Sequence, residues 1–345
     1  MASIKDVARA AGVSIGTVSN VLNRPEIVSP SRRSAVETAI AELGYVRNDA
    51  ARQLKAGRSL TVGCIVLDIS NPFYAQLAAG AELAAEASGI GVLTGNSGHR
   101  TSRERLQLSL FEEQRVRGIL LASRGGTEEL VRAIHDRGTP IILMETDEHV
   151  ESFCSVSTDD AAGGRMAVAH LLEQGRRRIA VIAAKLELRQ VAARIAGASA
   201  AVAEVPGASL EIIEADDLTV LAGRAAGSRI ASRPAGKRPD GVFCINDLMA
   251  AGAMQAFAFQ DRIRMPEDIA LIGYDDIAFS RSTIVPLSSV SQAAEMMGRT
   301  AYALLEEEVV HGGGHVHRHV TFRPELVVRR STDPDAADPL DAEGA

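Results

Sequence analysis

Tryptophan is absent from the 345-residue sequence, and aromatic residues make up only 3% of it. Because hydrophobic residues still reach 46%, we expect cores built from Val, Ile, Leu and Ala, in a chain long enough for two or three domains. No apolar run is long enough to cross a membrane, and the first residues, MASIKDVARAAGV, lack the apolar stretch of a signal peptide. We therefore expect a soluble, cytoplasmic protein.

Cysteine is also scarce, and the three cysteines, Cys64, Cys154 and Cys244, lie far apart. Their odd number does not suit a disulfide framework. Two of them lie inside apolar, strand-like runs, GCIVL and VFCIN. We interpret all three as small core residues and not as disulfide partners or metal ligands.

Catalytic motifs are missing as well. The segment HGGG at 311–314 has the form of an esterase oxyanion loop, but no G-x-S-x-G nucleophile turn accompanies it. The chain has no P-loop, no Rossmann glycine fingerprint after its first strand and no evident nucleophile–base pair. We predict a protein that is not an enzyme and that has no cofactor.

One histidine-rich segment, HVHRH at 315–319, places three imidazoles on one face of a predicted strand. Such a pattern can bind a metal ion. No carboxylate partner for it is evident, however. We interpret the segment as a solvated strand face and predict no metal ligands.

Charge is distributed unevenly along the chain. Residues 1–60 carry nine Lys and Arg against five Asp and Glu, a net charge of +4. Since the whole chain has a net charge of −7, the remainder carries −11. This asymmetry indicates a small module that meets a polyanion, attached to a body that does not.

The first 46 residues have the apolar periodicity of three short helices. Gly12 and Gly44 are placed to end the first and third helices, and Ser14 and Ser29 to cap the second and third. The inward faces are predicted to be Ile4, Val7, Ala8 and Ala11, then Val18, Val21 and Leu22, then Val36, Ile40 and Leu43.

A helix, a tight turn and a second helix suit the major groove of DNA. The predicted outward side chains of the second helix are Ile15, Gly16, Thr17, Ser19, Asn20 and Asn23. Hydroxyls and amides of this kind bind phosphates, and Asn20 is able to read an adenine edge. On spacing alone, a plain three-helix bundle with a solvated polar face remains the alternative.

From residue 61 onward, buried strands alternate with amphipathic helices, as in repeated βαβ units. The first series of predicted strands is 61–69, 91–97, 118–123, 140–146 and 155–159, and the second is 178–184, 210–216, 241–247 and 269–275. Late strands follow within 316–330. Continuous apolar strands predict sheets covered on both faces, and the two series predict two lobes.

The sequence resembles the LacI/GalR family of bacterial regulators over nearly its whole length. The resemblance is carried by IKDVARAAGVSIGTVSNVLNRPEIVSPSRRSAVETAIAELGYVRNDAARQLKAGRS, VGCIVLDISNPFYAQLAAGAE, DDAAGGRMAVAHLLEQGRRRIAVI, NDLMAAGAMQAF, MPEDIALIGYDDI, PLSSV and PELVVRRS. Only about the last dozen residues fall outside it. The order and spacing of these pieces together are highly specific.

The resemblance implies an all-α helix-turn-helix head joined by a hinge to an α/β periplasmic-binding-protein-like sensor of two doubly wound parallel-sheet lobes. The expected parts are a head at 1–46, a hinge at 47–60, a sensor at 61–331 and a disordered acidic tail at 332–345. Lobe one is expected at about 61–159 and 291–320, and lobe two at about 160–290 and 321–331.

For DNA, the resemblance implies that Ile15, Gly16 and Asn20 set specificity and that Ser14, Thr17 and Ser19 hold phosphates. It also implies a hinge helix that orders only on the operator, with Leu54 as a wedge between base pairs and Lys55 beside it. The expected partners are operator DNA, a small-molecule effector and a second copy of the chain. We expect a dimer and not a tetramer, because the C-terminal tail lacks the leucine heptads of a coiled coil.

Ligands of such folds bind between the lobes, at the carboxyl ends of the strands. The resemblance assigns effector binding to Phe73, Tyr74, Arg194, Asn246 and Asp275, with Leu188 and Leu218 near other pocket positions. Structural roles remain the alternative for several residues of the cleft, since Asp68 and Asn71 also suit helix caps and Phe73 suits a core.

We therefore predict a transcription repressor controlled by a small molecule, most simply a sugar or sugar derivative. A nucleobase is the alternative within the same architecture. A solute-binding receptor is the alternative from another class, against which the attached head and the missing signal peptide count. An enzyme is a third reading, and the absent motifs count against it.

Overall fold

The computed structural model describes residues 2–45, 59–146, 151–184, 188–260 and 263–337. The chain divides into two compact units, Met1–Ser59 and Leu60–Ala345. None of the helices in these parts of the chain is long and apolar enough to span a lipid bilayer.

The first unit contains the helices α1 (Ile4–Ala10), α2 (Ile15–Asn23) and α3 (Pro30–Leu43). Ser14 caps α2, since its hydroxyl accepts a hydrogen bond from the backbone N–H of Thr17. Gly44 ends α3 in the left-handed conformation that glycine adopts without strain. The buried core of this unit consists of Val7, Ala8, Val18, Val21, Val36 and Ala39.

Two details of the third helix differ from the prediction. Ser29 occupies the capping position, but its side chain makes no capping hydrogen bond. Leu43 is 39% exposed and does not face the core. The left-handed turn at Gly44 redirects the chain, and Tyr45 packs against the core beyond it.

The second unit alternates strands and helices. Its strands are β1 (Thr61–Val66), β2 (Gly91–Asn96), β3 (Ile119–Ala122), β4 (Ile141–Met144), β5 (Ser155–Thr158), β6 (Arg178–Ala183), β7 (Ser209–Glu214), β8 (Gly241–Cys244), β9 (Ala270–Ile272), β10 (Ser289–Ser291), β11 (His319–Phe322) and β12 (Glu325–Val327). Its helices are α4 (Pro72–Glu86), α5 (Thr101–Glu113), α6 (Glu128–Asp136), α7 (Asp160–Glu173), α8 (Arg189–Ala203), α9 (Val220–Ala231), α10 (Asp247–Gln260) and α11 (Ala294–His311).

Two parallel sheets form the two lobes. The first has the order β11-β5-β4-β3-β1-β2, and the second has the order β7-β6-β8-β9. The late strand β11 returns to the first lobe, where His319 pairs with Ser155. The antiparallel pair of β10 and β12 forms a separate two-stranded sheet. The apolar residues packed on each main sheet are mostly Val, Ile, Leu and Ala, as the scarcity of aromatic residues predicts, with a few aromatic side chains such as Phe243 and Tyr274 among them.

Within the described residues, three pairs of helices cross closely at glycines. The pairs are α4 with α11 at Gly80 and Gly298, α7 with α8 at Gly164 and Gly197, and α9 with α10 at Gly223 and Gly252. A Cβ atom at any of these positions would overlap a backbone carbonyl oxygen of the opposite helix. At Gly164 that oxygen belongs to Arg194. This crossing therefore fixes the backbone that carries the Arg194 side chain.

The start of the predicted disordered tail is wrong. Thr332 is buried, and its hydroxyl bonds with His170 Nε2 at 2.8 Å and with Ser288 Oγ at 2.7 Å. These buried polar partners hold the chain to the second lobe beyond the last strand. The part of the predicted tail at 338–345 lies outside the described residues.

Candidate functional site

The second helix of the first unit presents most of its predicted DNA-facing residues to solvent. Ser14, Ile15, Gly16, Asn20 and Asn23 are exposed, and Thr17 and Ser19 are half-buried. An exposed isoleucine beside small polar residues suits contact with base edges in the major groove. Leu54 and Lys55, the predicted hinge contacts, lie outside the described residues.

Two polar pairs mark the ends of this helix. The hydroxyls of Ser14 and Thr17 lie 3.0 Å apart at its start. At its end, the amide of Asn23 donates to the carbonyl of Ser19 at 2.7 Å. The side-chain amide of Asn20, between these pairs, has no hydrogen-bond partner among the residues that the structure describes. The exposed Asn20 amide is therefore not engaged within the described part of the chain.

In the second unit, the five side chains predicted to bind an effector line a single cavity. The cavity lies between the carboxyl ends of the strands of both lobes. Its lining residues are Asp68, Asn71, Phe73, Tyr74, His99, Glu145, Gln190, Val191, Arg194, Leu218, Ile245, Asn246 and Asp275. Leu188 lines a neighbouring cavity, which shares Glu145 and Gln190 with the first.

Asp275 connects the two lobes. Its Oδ2 accepts a hydrogen bond of 3.1 Å from the amide of Asn71, which follows the first strand of lobe one. Its Oδ1 accepts one of 2.6 Å from Gln292. Asn71 also caps α4, since its side-chain Oδ1 accepts from the backbone N–H of Phe73, so the capping role weighed for it is present. Burial raises the pKa of Asp275 to about 6.

Arg194 is held from three sides. Its Nε donates to Asp160 at 2.7 Å, its Nη1 donates to the carbonyl of Ile245 at 2.6 Å, and its guanidinium lies 3.6 Å from the centre of the Tyr274 ring. Burial alone would lower the pKa of Arg194, but the nearby carboxylates outweigh burial and hold it above its ordinary value. The side chain is therefore a fixed positive charge in the cleft.

Asn246 and the aromatic pair complete the predicted set. The amide of Asn246 donates to the carbonyl of Leu218 at 3.0 Å, and its oxygen accepts from the backbone of Met249 at 2.8 Å. Phe73 and Tyr74 are buried side by side, with ring centres 5.1 Å apart in an edge-to-face arrangement. Phe73 thus belongs to the core and also lines the cavity.

Sequence reasoning missed Glu145 and His99. Glu145 Oε2 and His99 Nδ1 are buried polar atoms with no hydrogen-bond partner in the described parts of the chain. Burial raises the pKa of Glu145 to about 8, so its carboxyl group is mostly protonated at neutral pH. Unpaired buried polar atoms are costly, and two of them in one cavity indicate a place for ligand hydrogen bonds.

A signal for both residues was present in the sequence. Glu145 lies at the carboxyl end of the fourth predicted strand, 140–146, and His99 follows the second, which is the position that singled out the other cleft residues. Backbone strain supports the same assignment, since His99, Glu145 and Asp275 all have positive φ angles of 54°, 58° and 101°. Non-glycine residues in such conformations concentrate at binding sites.

Two family models match the chain. Residues 3–48 match the model of bacterial regulatory proteins of the lacI family, and residues 168–332 match that of the periplasmic binding protein-like domain. These ranges cover the helix-turn-helix unit and most of the second lobe.

Whole-length relatives carry both parts together. The chain is 33% identical to the HTH-type transcriptional repressor PurR of Escherichia coli O139:H28 over 337 residues, which cover 96% of this chain and 97% of that protein. It is 32% identical to the transcriptional regulator CelR in its cellobiose complex, with a TM-score of 0.69 and coverage of 96% and 100%.

The fold is also that of the lac repressor. The structure of the lac repressor dimer bound to operator and the anti-inducer ONPF has a TM-score of 0.80 at 27% identity, with coverage of 96% of this chain and 99% of that one. These relatives are transcriptional regulators and not enzymes or solute receptors. The chain therefore belongs to the LacI family of bacterial regulatory proteins, as a ligand-regulated, DNA-binding transcriptional repressor.

Proposed function

We propose that this repressor is controlled by a sugar or sugar derivative bound between its lobes, in contact with Phe73, Tyr74, Arg194, Asn246 and Asp275. One observation carries the proposal. The cavity where Asp275 joins the lobes through Asn71 also contains the unpaired polar atoms of Glu145 and His99. A ligand that bonds to these atoms and to Asp275 would touch both lobes at once.

The chemistry of the lining favours a polyhydroxylated ligand. Eight of the thirteen lining residues are polar or charged, namely Asp68, Asn71, His99, Glu145, Gln190, Arg194, Asn246 and Asp275. Vicinal hydroxyls donate and accept together, so they suit carboxylate, amide and guanidinium groups that converge on one space. A relative of this chain, CelR, has a structure in complex with cellobiose.

A nucleobase is the second candidate. Phe73 and Tyr74 supply aromatic surface beside the polar groups, and a flat heterocycle would pack against it. The likeness to PurR repressors favours the same class. A nucleobase would satisfy Glu145 and His99 with ring nitrogens instead of hydroxyls.

On the DNA side, we infer that Ile15, Gly16 and Asn20 contact base edges. The DNA phosphates would be bound by Ser14, Thr17, Ser19, Asn23 and Lys55. Leu54 would insert as a wedge in the minor groove. One head covers a half-site only, so a homodimer on a pseudopalindromic operator is part of the proposal. Such a regulator works in the bacterial cytoplasm, where the operator is.

Ligand binding would alter DNA binding through the arrangement of the lobes. A ligand shifts this equilibrium only if it binds one arrangement more tightly than the other. The hydrogen bond between Asn71 and Asp275 joins the lobes at the cavity, so a ligand that adds bonds on both sides favours the arrangement that contains it.

A ligand panel tests the proposal. An operator is first selected from random duplex DNA, and its affinity for the full-length protein is measured by fluorescence anisotropy at fixed salt. Pentoses, hexoses and cellobiose are then compared with hypoxanthine, guanine and adenine. If the proposal is correct, a sugar should strengthen or weaken operator affinity by about 5- to 150-fold. A response to nucleobases alone would establish the second candidate and overturn the first.

A further inference from the structure

A second group of reactive side chains lies at the opposite end of the first sheet from the ligand cavity. Cys154 directly precedes β5, and His315 and His317 lie in the segment that leads into β11. Because β5 and β11 are parallel neighbours, these preceding residues meet at the amino ends of the two strands. The Sγ atom of Cys154 lies 3.1 Å from His315 Nε2 and 3.8 Å from His317 Nδ1.

A carboxylate from the preceding helix completes the group. Glu308 lies on α11 and is only 5% exposed. Its Oε1 bonds with His135 Nε2 at 3.0 Å, while its Oε2 lies 3.9 Å from His317 Nδ1. That Oε2 is buried and has no hydrogen-bond partner among the described residues. The predicted solvated face is wrong here, because the histidines turn half-buried toward a thiol and a carboxylate.

The spacing of the four atoms suits a small cation. One ligand atom from each of Cys154, Glu308, His315 and His317 lies within 4.8 Å of the other three. Zinc binds sulfur at about 2.3 Å and nitrogen or oxygen at about 2.0–2.2 Å, so the edges of a tetrahedral site measure about 3.3–3.8 Å. The three separations quoted above, 3.1, 3.8 and 3.9 Å, lie close to these edges.

The surroundings resemble the outer shell of a metal site. His135 bonds to Oε1 of Glu308. This leaves Oε2 of Glu308 directed at Cys154 and the two histidines. The backbone N–H of Arg318 donates to Cys154 Sγ at 3.3 Å, which stabilises a thiolate. His319, the third histidine of the segment, instead bonds with Ser155 Oγ at 2.8 Å.

Without a cation, these groups satisfy one another poorly. Glu308 Oε2 is buried and has no hydrogen-bond partner within the described ranges, although a thiol and two imidazoles lie around it. A divalent cation would accept electron pairs from all four atoms. A thiolate, two imidazoles and a carboxylate form a donor set that zinc and its neighbours in the transition series prefer to magnesium or calcium.

We propose that Cys154, Glu308, His315 and His317 bind a divalent transition-metal ion of the zinc class. His135 is a positioning residue that orients the carboxylate of Glu308. The ion would join the start of β5 to the end of α11 and the neighbouring segment before β11, which lie far along the chain from β5. It would act as a structural clamp on the edge strand, separate from the ligand cavity.

The test is a metal titration of the full-length protein after removal of metals with a chelator. Zinc affinity is measured by competition with a chromophoric chelator, and cobalt is used as a spectroscopic probe. We expect one equivalent per chain, with a thiolate-to-cobalt charge-transfer band. Zinc in about 100-fold excess over its Kd should also raise Tm by about 5 °C.

Four variants distinguish this site from adventitious binding. Cys154→Ser and His317→Ala should each weaken zinc binding at least about 10-fold, and Cys154→Ser should abolish the charge-transfer band. His319→Ala and Cys64→Ala, which remove a neighbouring histidine and another buried thiol, should leave both unchanged. If Cys154→Ser does not fold, the half-buried His317→Ala still gives the answer. Zinc uptake that is absent, or equal in the wild type and His317→Ala, would overturn the proposal.

Discussion

Reactive side chains gather at both ends of the first sheet, and the two groups are built differently. At the carboxyl ends of the strands, hydrogen-bond donors and acceptors face one another, since Asp275 accepts from Asn71 and Gln292, although Glu145 Oε2 and His99 Nδ1 remain unpaired among the described residues. At the amino ends, the atoms that face one another are mainly electron-pair donors, as with Cys154 Sγ and His315 Nε2. A matched set can be rearranged by a ligand that both donates and accepts. An unmatched set of electron-pair donors calls for a cation.

The backbone that carries the side chains is also held differently at the two ends of the sheet. Arg194, at the cavity, stands on a helix whose backbone is fixed by the close crossing at Gly164. His315, at the other end, follows three glycines, Gly312–Gly314, around which an added Cβ would meet open space. The cavity is thus preorganised by packing, whereas the second group depends on its own mutual contacts.

The largest expected effect is at the carboxyl end, in Asp275→Ala. This change removes the acceptor that joins the lobes, so we expect a folded protein whose operator affinity no longer responds to the ligand. The lost response should be about 5- to 150-fold, measured by fluorescence anisotropy with and without ligand. The exposed Asp335→Ala is the control and should respond normally. A wild-type response in Asp275→Ala would mean that the residue does not anchor the ligand.

The next largest effect is the difference in stability between two variants, Gly164→Ala and Gly313→Ala. Gly164→Ala forces a methyl group against the carbonyl of Arg194, so the free energy of unfolding should fall by about 1–3 kcal/mol or more. Gly313→Ala, in open space at the other end, should change it by less than about 0.5 kcal/mol. Urea unfolding followed by circular dichroism measures both. Equal losses of unfolding free energy in the two variants would show that the backbone is not packed more tightly at Gly164 than at Gly313.

A smaller effect is expected from Asn71→Ser. Serine retains the capping of α4 but does not reach Asp275, so the hydrogen bond between the lobes is lost. Such a bond contributes roughly 0.5–1.5 kcal/mol, and ligand affinity should weaken about 2- to 12-fold. Isothermal titration calorimetry measures this change. An unchanged or tighter affinity, with normal unfolding, would show that the bond does not favour the binding arrangement.

The smallest change is expected in the pH dependence of stability, in Glu145→Gln. Burial raises the pKa of Glu145 from 4.5 to about 8, so the folded protein retains a proton that the unfolded chain releases. Its contribution to stability is therefore full below pH 4.5 and is lost as the pH rises from 4.5 to about 8. Asp160, Arg194, Asp275 and Tyr74 face this group and tune the same window.

Glutamine mimics the protonated carboxyl group and does not ionise. The decline of stability between pH 5 and about 8 should therefore be shallower in Glu145→Gln than in the wild type, measured by urea unfolding at several pH values. Burial also raises the pKa of Asp247, to about 8, so part of the decline should remain. The control is Glu113→Gln, on the exposed end of α5. A slope identical to the wild type would contradict the buried, protonated state of Glu145.

Local sequence patterns determined the architecture of this protein. Alternating apolar strands and amphipathic helices predicted two parallel-sheet lobes, and Ser14 with its apolar neighbours predicted the second helix of the head. The rule that ligands bind at carboxyl ends of strands, with the family resemblance, led to five residues that line one cavity. These inferences succeeded because each depends on residues close together in the chain or on a fixed topology.

Tertiary structure alone decided which distant groups face one another. The bond between Asn71 and Asp275 joins residues 204 positions apart, and only the folded chain buries Glu145 Oε2 without a hydrogen-bond partner in the part that the structure describes. Cys154 meets His315 because β11 returns to the first sheet after the chain has crossed the second lobe, and it pairs beside β5. Hydrophobic periodicity specifies which face of a strand is buried, but strand order and helix crossings determine what it is buried against.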